Sequence, residues 1–220
     1  MTGRRSGERD GPAAVLPEGV VPPPDIPAAV FVAALHTYLE PRRLDMRALA
    51  AELGMGRSSL YRKVRSRDHL LGAVLWYLTR RAVLRAVEAA HPLRGAARVI
   101  AVVDHFLHDV HSQPALRRLL QEEPEAALRI LTSKAGGVQQ PLIAAVERLL
   151  AAEETQASVD LHLDRRALAY IIVRIGESFL YADVIADNQP DVDLAVEMVA
   201  QLLGVRRTGL AVPSPRADRT

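Results

Sequence analysis

The sequence predicts an all-α protein, and three observations carry that prediction. Apolar residues recur at three- and four-residue steps through most of the 220 residues, and no run shows sustained two-residue alternation flanked by turn signals. Prolines, glycines and capping residues punctuate the chain at intervals that suit helices of roughly 8–20 residues. Apolar residues make up 49% of the chain but aromatics only 4%, so the core must be built mainly from aliphatic side chains.

The elements follow in order. Residues 1–24 hold Gly, Pro and Arg without periodicity and read as a disordered arm, stopped by Pro22-Pro23-Pro24. A first helix runs from about Pro27 to Leu39 and ends before Pro41. Asp45 is a good N-cap for a second, Met46 to Leu53. Gly54-Met55-Gly56 is a turn, and a short third helix covers Arg57 to Val64. Ser66 caps a long fourth helix that reaches about Ala89 and stops at His91-Pro92. A fifth spans about Arg94 to Val110, and Pro114 opens a sixth. Pro124 begins another segment, broken at Ala135-Gly136-Gly137. Pro141 starts a helix reaching about Glu154, and a polar loop follows. Two strong helices close the fold, Asp164 to Ala186 and Pro190 to Leu203, the last with Gly204 at its end. Thr208 to Thr220 reads as a disordered tail. The expected division is an arm at 1–24, an N-terminal three-helix domain at 25–71, a C-terminal helical bundle at 72–207 and a tail at 208–220.

Composition narrows the function. The chain has no cysteine, which removes disulfides, thiolate metal sites and cysteine nucleophiles. No apolar stretch follows the N-terminal arginines as in a signal peptide, and no window approaches the roughly 20 apolar residues of a membrane span, so a cytoplasmic protein is expected. A Gly-rich phosphate loop, a Gly-x-Ser-x-Gly elbow and a His-Glu-x-x-His pair are all absent, which argues against an enzyme. The net charge of +2 conceals an asymmetry: residues 1–92 carry 14 Lys/Arg against 9 Asp/Glu, and residues 93–220 carry 14 against 17. Within 42–67 the count is 8 against 2. Such a concentration suits a phosphate-binding surface, although a solvated helical face has the same composition.

The segment LDMRALAAELGMGRSSLYRKVRSRDHLL, residues 44–71, carries the pattern of a helix-turn-helix. Leu49, Ala50 and Leu53 form the inner face of one short helix, and Leu60 and Val64 that of the next. Met55 can plug the gap between them. The outer face of the second helix is then Arg57, Ser58, Ser59, Tyr61, Arg62 and Lys63, side chains that reach base edges and phosphates. Arg57 fits bidentate contact with guanine, and the serines are small enough for base or phosphate. Arg47, Tyr61, Lys63, Arg65 and Arg67 suit phosphate contacts, and the helix start at Ser66 favours an anion as well. A plain helical hairpin with a basic face is the competing reading.

The run from Gly54 to Leu71 resembles the signature of TetR-type transcriptional regulators, in which a Gly-Val-Ser turn leads to Leu-Tyr, an aromatic and Ser-Lys-Glu-x-Leu. Here Gly56 stands for the turn serine, Val64 for the aromatic and Arg67 for the lysine. The resemblance implies that Tyr61 and Arg67 touch phosphate and that Arg57, Ser58 and Ser59 read bases. It also implies a homodimer bound to double-stranded DNA at a palindromic operator, with a C-terminal domain that dimerises and encloses a small lipophilic effector. The run Arg174 to Ile185, RIGESFLYADVI, is similar to the QsdR-type branch, which implies lactone-like effectors.

The C-terminal half offers candidate effector contacts. In the apolar stretch 168–185, Tyr170, Arg174, Glu177 and Tyr181 fall on one stripe. Two readings stand: a polar spine in a ligand pocket, or an internal or dimer-interface salt bridge between Arg174 and Glu177. Trp76 and Phe106 are candidate pocket walls, although large side chains of this kind are more often simply core. His105, His108 and His111 recur at three-residue steps, but one helix aims only two of three such ligands at a common point, so no metal or other cofactor is expected. An effector-independent dimeric DNA-binding protein is the alternative to a ligand-released repressor.

Overall fold

The computed structural model describes residues 22–157 and 164–205. Among them are eleven α-helices and one 3-10 turn, so the chain is all-α as the periodicity predicts. The expected arm before residue 22, the end of the polar loop at 158–163 and the C-terminal tail lie outside the described residues. The helices are α1 Ala28–Leu39, α2 Met46–Glu52, α3 Arg57–Val64, α4 Arg67–Ala89, α5 Gly95–His111, α6 Pro114–Glu122, α7 Pro124–Thr132, α8 Gln139–Ala157, α9 Arg165–Leu180, α10 Ala182–Ala186 and α11 Val192–Leu202. The 3-10 turn, Lys134–Gly136, precedes α8.

These elements form two compact units. One comprises the described residues up to Leu78 together with Glu125–Val138, the other Thr79–Pro124 and the described residues from Gln139 onward. The division falls inside α4, beyond the expected boundary after residue 71. The first unit also takes a second segment of chain that is remote in sequence.

In the first unit, α1 buries Val30, Phe31, Ala34, Leu35 and Tyr38, one face of a helix at three- and four-residue spacing. The Phe31 ring meets Tyr77 of α4 edge-on, with centroids 5.6 Å apart at 83°. The remote segment is fastened to α4 at two places. Arg129 of α7 donates through Nε and Nη2 to one oxygen of Asp68, at 3.1 and 2.8 Å. Gly72 on α4 is buried, and a Cβ there would collide with the Gly136 carbonyl oxygen and touch Ile130. The absence of a side chain therefore sets how closely α4 approaches the 3-10 turn.

In the second unit, α8 packs on α9, α11 on both α5 and α9, and α5 on α8. A Cβ on Gly176 of α9 would stand 3.1 Å from Leu107 of α5, so these helices are also close. Glu153 of α8, 1% exposed, accepts the Gly95 N–H and an Arg98 Nη1 hydrogen, each at 2.7 Å, and thereby ties the start of α5 to α8. Gly95 itself has φ +63°, a conformation that glycine adopts without strain.

Two of the differences between sequence and structure in this unit have a local physical reason. The helix expected to start at Pro141 begins at Gln139, since a proline lacking an N–H is tolerated throughout a first turn whose N–H groups have no partner anyway. The single helix expected from Asp164 to Ala186 is two, α9 and α10, parted at Tyr181. Ser178 bonds back to the Arg174 carbonyl at 2.8 Å one turn before the break, an interaction that bends helices. Pro114 at the first turn of α6 follows the expectation. Asp191 caps α11 through the Leu194 N–H at 2.9 Å, and Gly204 at φ +72° closes it: its N–H meets the Gln201 carbonyl while that of Val205 meets Ala200.

Candidate nucleic-acid interface

The site is built from α2, the turn after it, α3 and the first turn of α4. Asp45 receives the N–H groups of Arg47 and Ala48 at 2.9 and 2.7 Å and so fixes the start of α2. These bonds, that from Ala48 foremost, hold its carboxyl below the ordinary carboxylate range. The helix ends on Gly54 at φ +63°, whose N–H bonds the Ala51 carbonyl while that of Met55 bonds Ala50. This pair of bonds reverses the chain sharply and delivers it to α3 through Gly56, which offers no side-chain cap.

Leu60 and Val64 are fully buried and anchor α3 from below. On its other side Arg57, Ser58, Arg62 and Lys63 are exposed, and Ser59 and Tyr61 are half-buried. The Arg57 guanidinium lies over the Tyr61 ring, 5.5 Å from its centroid, so cation–π attraction holds the first basic residue against the aromatic one. Arg62 Nη2 donates to Ser59 Oγ at 3.4 Å. Arg47 is exposed on α2. The result is a short helix, rigidly seated by two aliphatic side chains, that offers a row of hydrogen-bond donors to solvent.

The junction with α4 carries backbone strain. Arg65 has φ 62° and ψ −63°, and the Ser66 N–H donates to the Val64 carbonyl at 2.7 Å, which is a tight γ-turn in a region that residues with a Cβ seldom adopt. The turn brings Ser66 to the start of α4, where its hydroxyl accepts the His69 N–H at 3.0 Å, as the sequence predicts for a capping serine. Arg67 is half-buried, and its Nε donates to the Leu44 carbonyl at 2.7 Å, so it also ties α4 to the loop before α2. Two further residues, absent from the sequence-based expectations, meet here. Asp25, in the turn before α1, accepts a hydrogen bond from His69 Nε2 at 2.8 Å and stands 3.7 Å from Arg65 Nη2. The His69 bond is the main cause that holds the Asp25 carboxyl below its ordinary range. Nothing local in the sequence marks this contact, which joins residues 44 positions apart.

Residues 94–204 match the family model described as tetracyclin repressor-like, C-terminal domain, which is half of the chain. The whole fold is similar to the TetR-family transcriptional repressor QsdR of R. erythropolis, at 30% identity and a TM-score of 0.76, over 83% of this chain and 96% of that one. The chain belongs to the TetR family. Two other solved structures share the fold: the TetR family repressor AlkX from Dietzia sp., implicated in biodegradation of n-alkanes, and the fatty acid degradation regulator FadR from Bacillus halodurans. AlkX is 24% identical with a TM-score of 0.56, and FadR 16% identical with a TM-score of 0.51. Both likenesses cover 80% of this chain and 92% of the other. No curated protein matches the sequence. The helix-turn-helix described above thus sits in a TetR-family transcriptional regulator, and no helix among the described residues is long and apolar enough to cross a membrane.

In this TetR-family chain the stripe along α9 runs from solvent into the interior. Tyr170 is 50% exposed, Arg174 is half-buried, and Glu177 and Tyr181 are buried. Arg174 Nη1 meets Glu177 Oε2 at 2.5 Å, and Gln139 Nε2 donates to both carboxylate oxygens at 3.2 Å. The Arg174–Glu177 salt bridge is therefore present within one helix and completed from α8. Burial is the largest influence on Glu177 and pushes its carboxyl up, against the opposing pull of Gln139 and Arg174. Phe106 packs beside an apolar cluster of Ala86, Ala90 and Val102. Trp76 is half-buried on the part of α4 that belongs to the first unit.

A cleft of about 250 Å³ opens among α5, α6 and the ends of α9 and α10, lined by Val110, His111, Leu116, Leu120, Leu180 and Pro190 among others. None of the six expected ligand residues lines it. Of the three spaced histidines, His105 and His108 are exposed and His111 is half-buried. His108 Nδ1 is 2.9 Å from Asp104 Oδ1, and its Nε2 is 3.6 Å from Asp193 of α11. Among the described residues no three His, Asp or Glu side chains converge to hold a metal ion.

Proposed function

We propose that the protein is a homodimeric transcriptional repressor that binds a palindromic operator through α3 and is released by a small lipophilic effector. The observation that carries the reading is the exposed row on α3, seated by Leu60 and Val64, in a chain of the TetR family. In this reading Arg57, Ser58 and Ser59 reach base edges in the major groove. Arg47, Tyr61, Arg62, Lys63 and Arg67 contact phosphate and set register. Arg67 does so while its Nε is engaged with Leu44, which gives the contact a fixed direction. In this reading the DNA-reading helices lie within residues 25–71 of the first compact unit, and dimerisation and effector binding belong to the part of 72–207 that forms the second. The protein acts in the cytoplasm, where its operator is.

Release requires the effector to bind the two conformations with different affinity. Phe106, Tyr170, Arg174, Glu177 and Tyr181 are the candidate contacts in the second unit. One observation favours the alternative, an effector-independent dimeric DNA-binding protein: Glu177 is already satisfied by Arg174 and Gln139 and does not need a ligand. Selection of bound sequences from a random DNA pool by the purified protein tests the central reading. A palindromic consensus with half-sites about one helical turn apart supports it, and no enrichment refutes it. Thermal shifts against a lipophilic library separate the two versions, since a ligand that binds the folded chain must raise its melting temperature.

A further inference from the structure

We propose that Asp25 is a built-in competitor for the DNA backbone, its carboxylate occupying a seat formed by the Arg65 guanidinium and the His69 ring that a phosphate takes on binding. The inference rests on the reading that the α3 region binds DNA. Three separate segments converge on a single oxygen, Oδ2: the turn before α1 supplies Asp25, the γ-turn after α3 supplies Arg65, and the first turn of α4 supplies His69. Side-chain exposures of 38% for Asp25, 34% for His69 and 73% for Arg65 leave the seat open to solvent. An exposed cluster of this kind adds little to folding, because water screens it. Its position directly after the donor row of α3 matters more.

A carboxylate oxygen and a phosphate oxygen make the same kind of contact with guanidinium and imidazole. The bond to His69 is short, whereas that to Arg65 is long at 3.7 Å, so Arg65 is held loosely and can turn to a stronger anion. Other acids of this unit have duties elsewhere: Asp45 caps α2, Glu40 and Glu52 lie 2.7 and 4.0 Å from Arg42, and Asp68 pairs with Arg129. Asp25 by contrast places a negative charge where an approaching backbone would bring one. Binding then exchanges one anion for another, and the protein holds DNA less tightly, whatever the sequence, than its basic count suggests.

The test uses the full-length protein with random-sequence duplex DNA, followed by fluorescence anisotropy over a range of potassium chloride concentrations. Asp25→Asn is expected to bind roughly three- to tenfold more tightly at low salt, with the slope of log affinity against log salt steeper by about 0.9. Asp25→Glu, which keeps the charge, is expected to stay near wild type. His69→Gln is expected to cost more affinity in the Asp25→Asn background than alone. An Asp25→Asn protein that binds no more tightly overturns the proposal, as does a gain shared by Asp25→Glu, which assigns the effect to altered packing. A wild-type protein with no salt-dependent affinity for DNA overturns the underlying reading and the proposal with it.

Discussion

Replacing Glu153 by alanine should destabilise the second unit more than any single substitution on its surface. Glu153 is 1% exposed, and both its oxygens are used, one by the Gly95 N–H and one by Arg98. The Arg98 side chain is only 14% exposed, and its Nε is buried without a partner even in the intact protein. Alanine at 153 removes the anion but leaves the cation. Breaking a buried pair from one side costs about 3–5 kcal/mol, and an orphaned backbone N–H costs about 1–3 kcal/mol when counted alone. Some of Arg98 can still reach water, so a total of about 3–4 kcal/mol is expected. Replacing Glu153 and Arg98 together by methionine removes both charges and orphans only Gly95, so about 1–3 kcal/mol remains. The double variant should therefore be more stable than Glu153→Ala. Urea denaturation followed by far-ultraviolet circular dichroism gives both values from midpoints at constant slope. An alanine variant within about 1 kcal/mol of wild type, or a double variant less stable than the single, would refute the reasoning.

Other outcomes can be checked together. Arg57→Ala should relax preference at one operator position by about 1–3 kcal/mol, measured by competition among single-base operator variants; unchanged preference at every position removes Arg57 from base reading. Lys63→Ala should weaken binding to all sequences alike and flatten the salt slope by about 1, and an unaltered slope would exclude a phosphate contact. Glu177 has a raised carboxyl, so the folded chain holds its proton at a pH where the unfolded chain has lost it. The stability this confers is full below the ordinary value of 4.5 and is lost as pH rises through the raised one. Glu177→Gln should therefore flatten the fall of the melting temperature as pH rises above 4.5, and a profile parallel to wild type would contradict the assignment. Gly72→Ala should cost about 1–3 kcal/mol or more through the clash with Gly136, and a thermal melt matching wild type would show that the 3-10 turn yields.

The parts of this fold that the sequence announces are those decided within a few residues. Asp45 and Ser66 cap the helices they precede, Pro114 opens one, and Gly54 and Gly204 close two. Each acts on its own neighbours, so its meaning survives without the rest of the molecule. The buried and exposed faces of α3 were legible for the same reason. The contacts that escape a linear reading are long in sequence. Glu153 meets residues 58 and 55 positions away, and Asp25 meets His69 across 44. The break at Tyr181 also escaped, because a serine bonding back to a carbonyl looks in sequence like any serine in a helix. The stripe from Tyr170 to Tyr181 has the spacing of one face, yet its ends differ in burial, since the depth of a helix face is set by neighbours that spacing does not name.

The chain leaves the first compact unit within α4 and returns to it for Glu125–Val138, where Ala127, Ile130 and Leu131 are buried and Gly136 abuts Gly72. The compact unit that holds α3 is therefore not a detachable cassette. A chimera that joins residues 1–78 to a foreign sensor would leave behind the partner of Asp68 and the surface that Gly72 is shaped to meet. Exchanging heads between regulators of this build calls for moving two stretches of chain together, and a crossover drawn by sequence order alone would cut through a folded body.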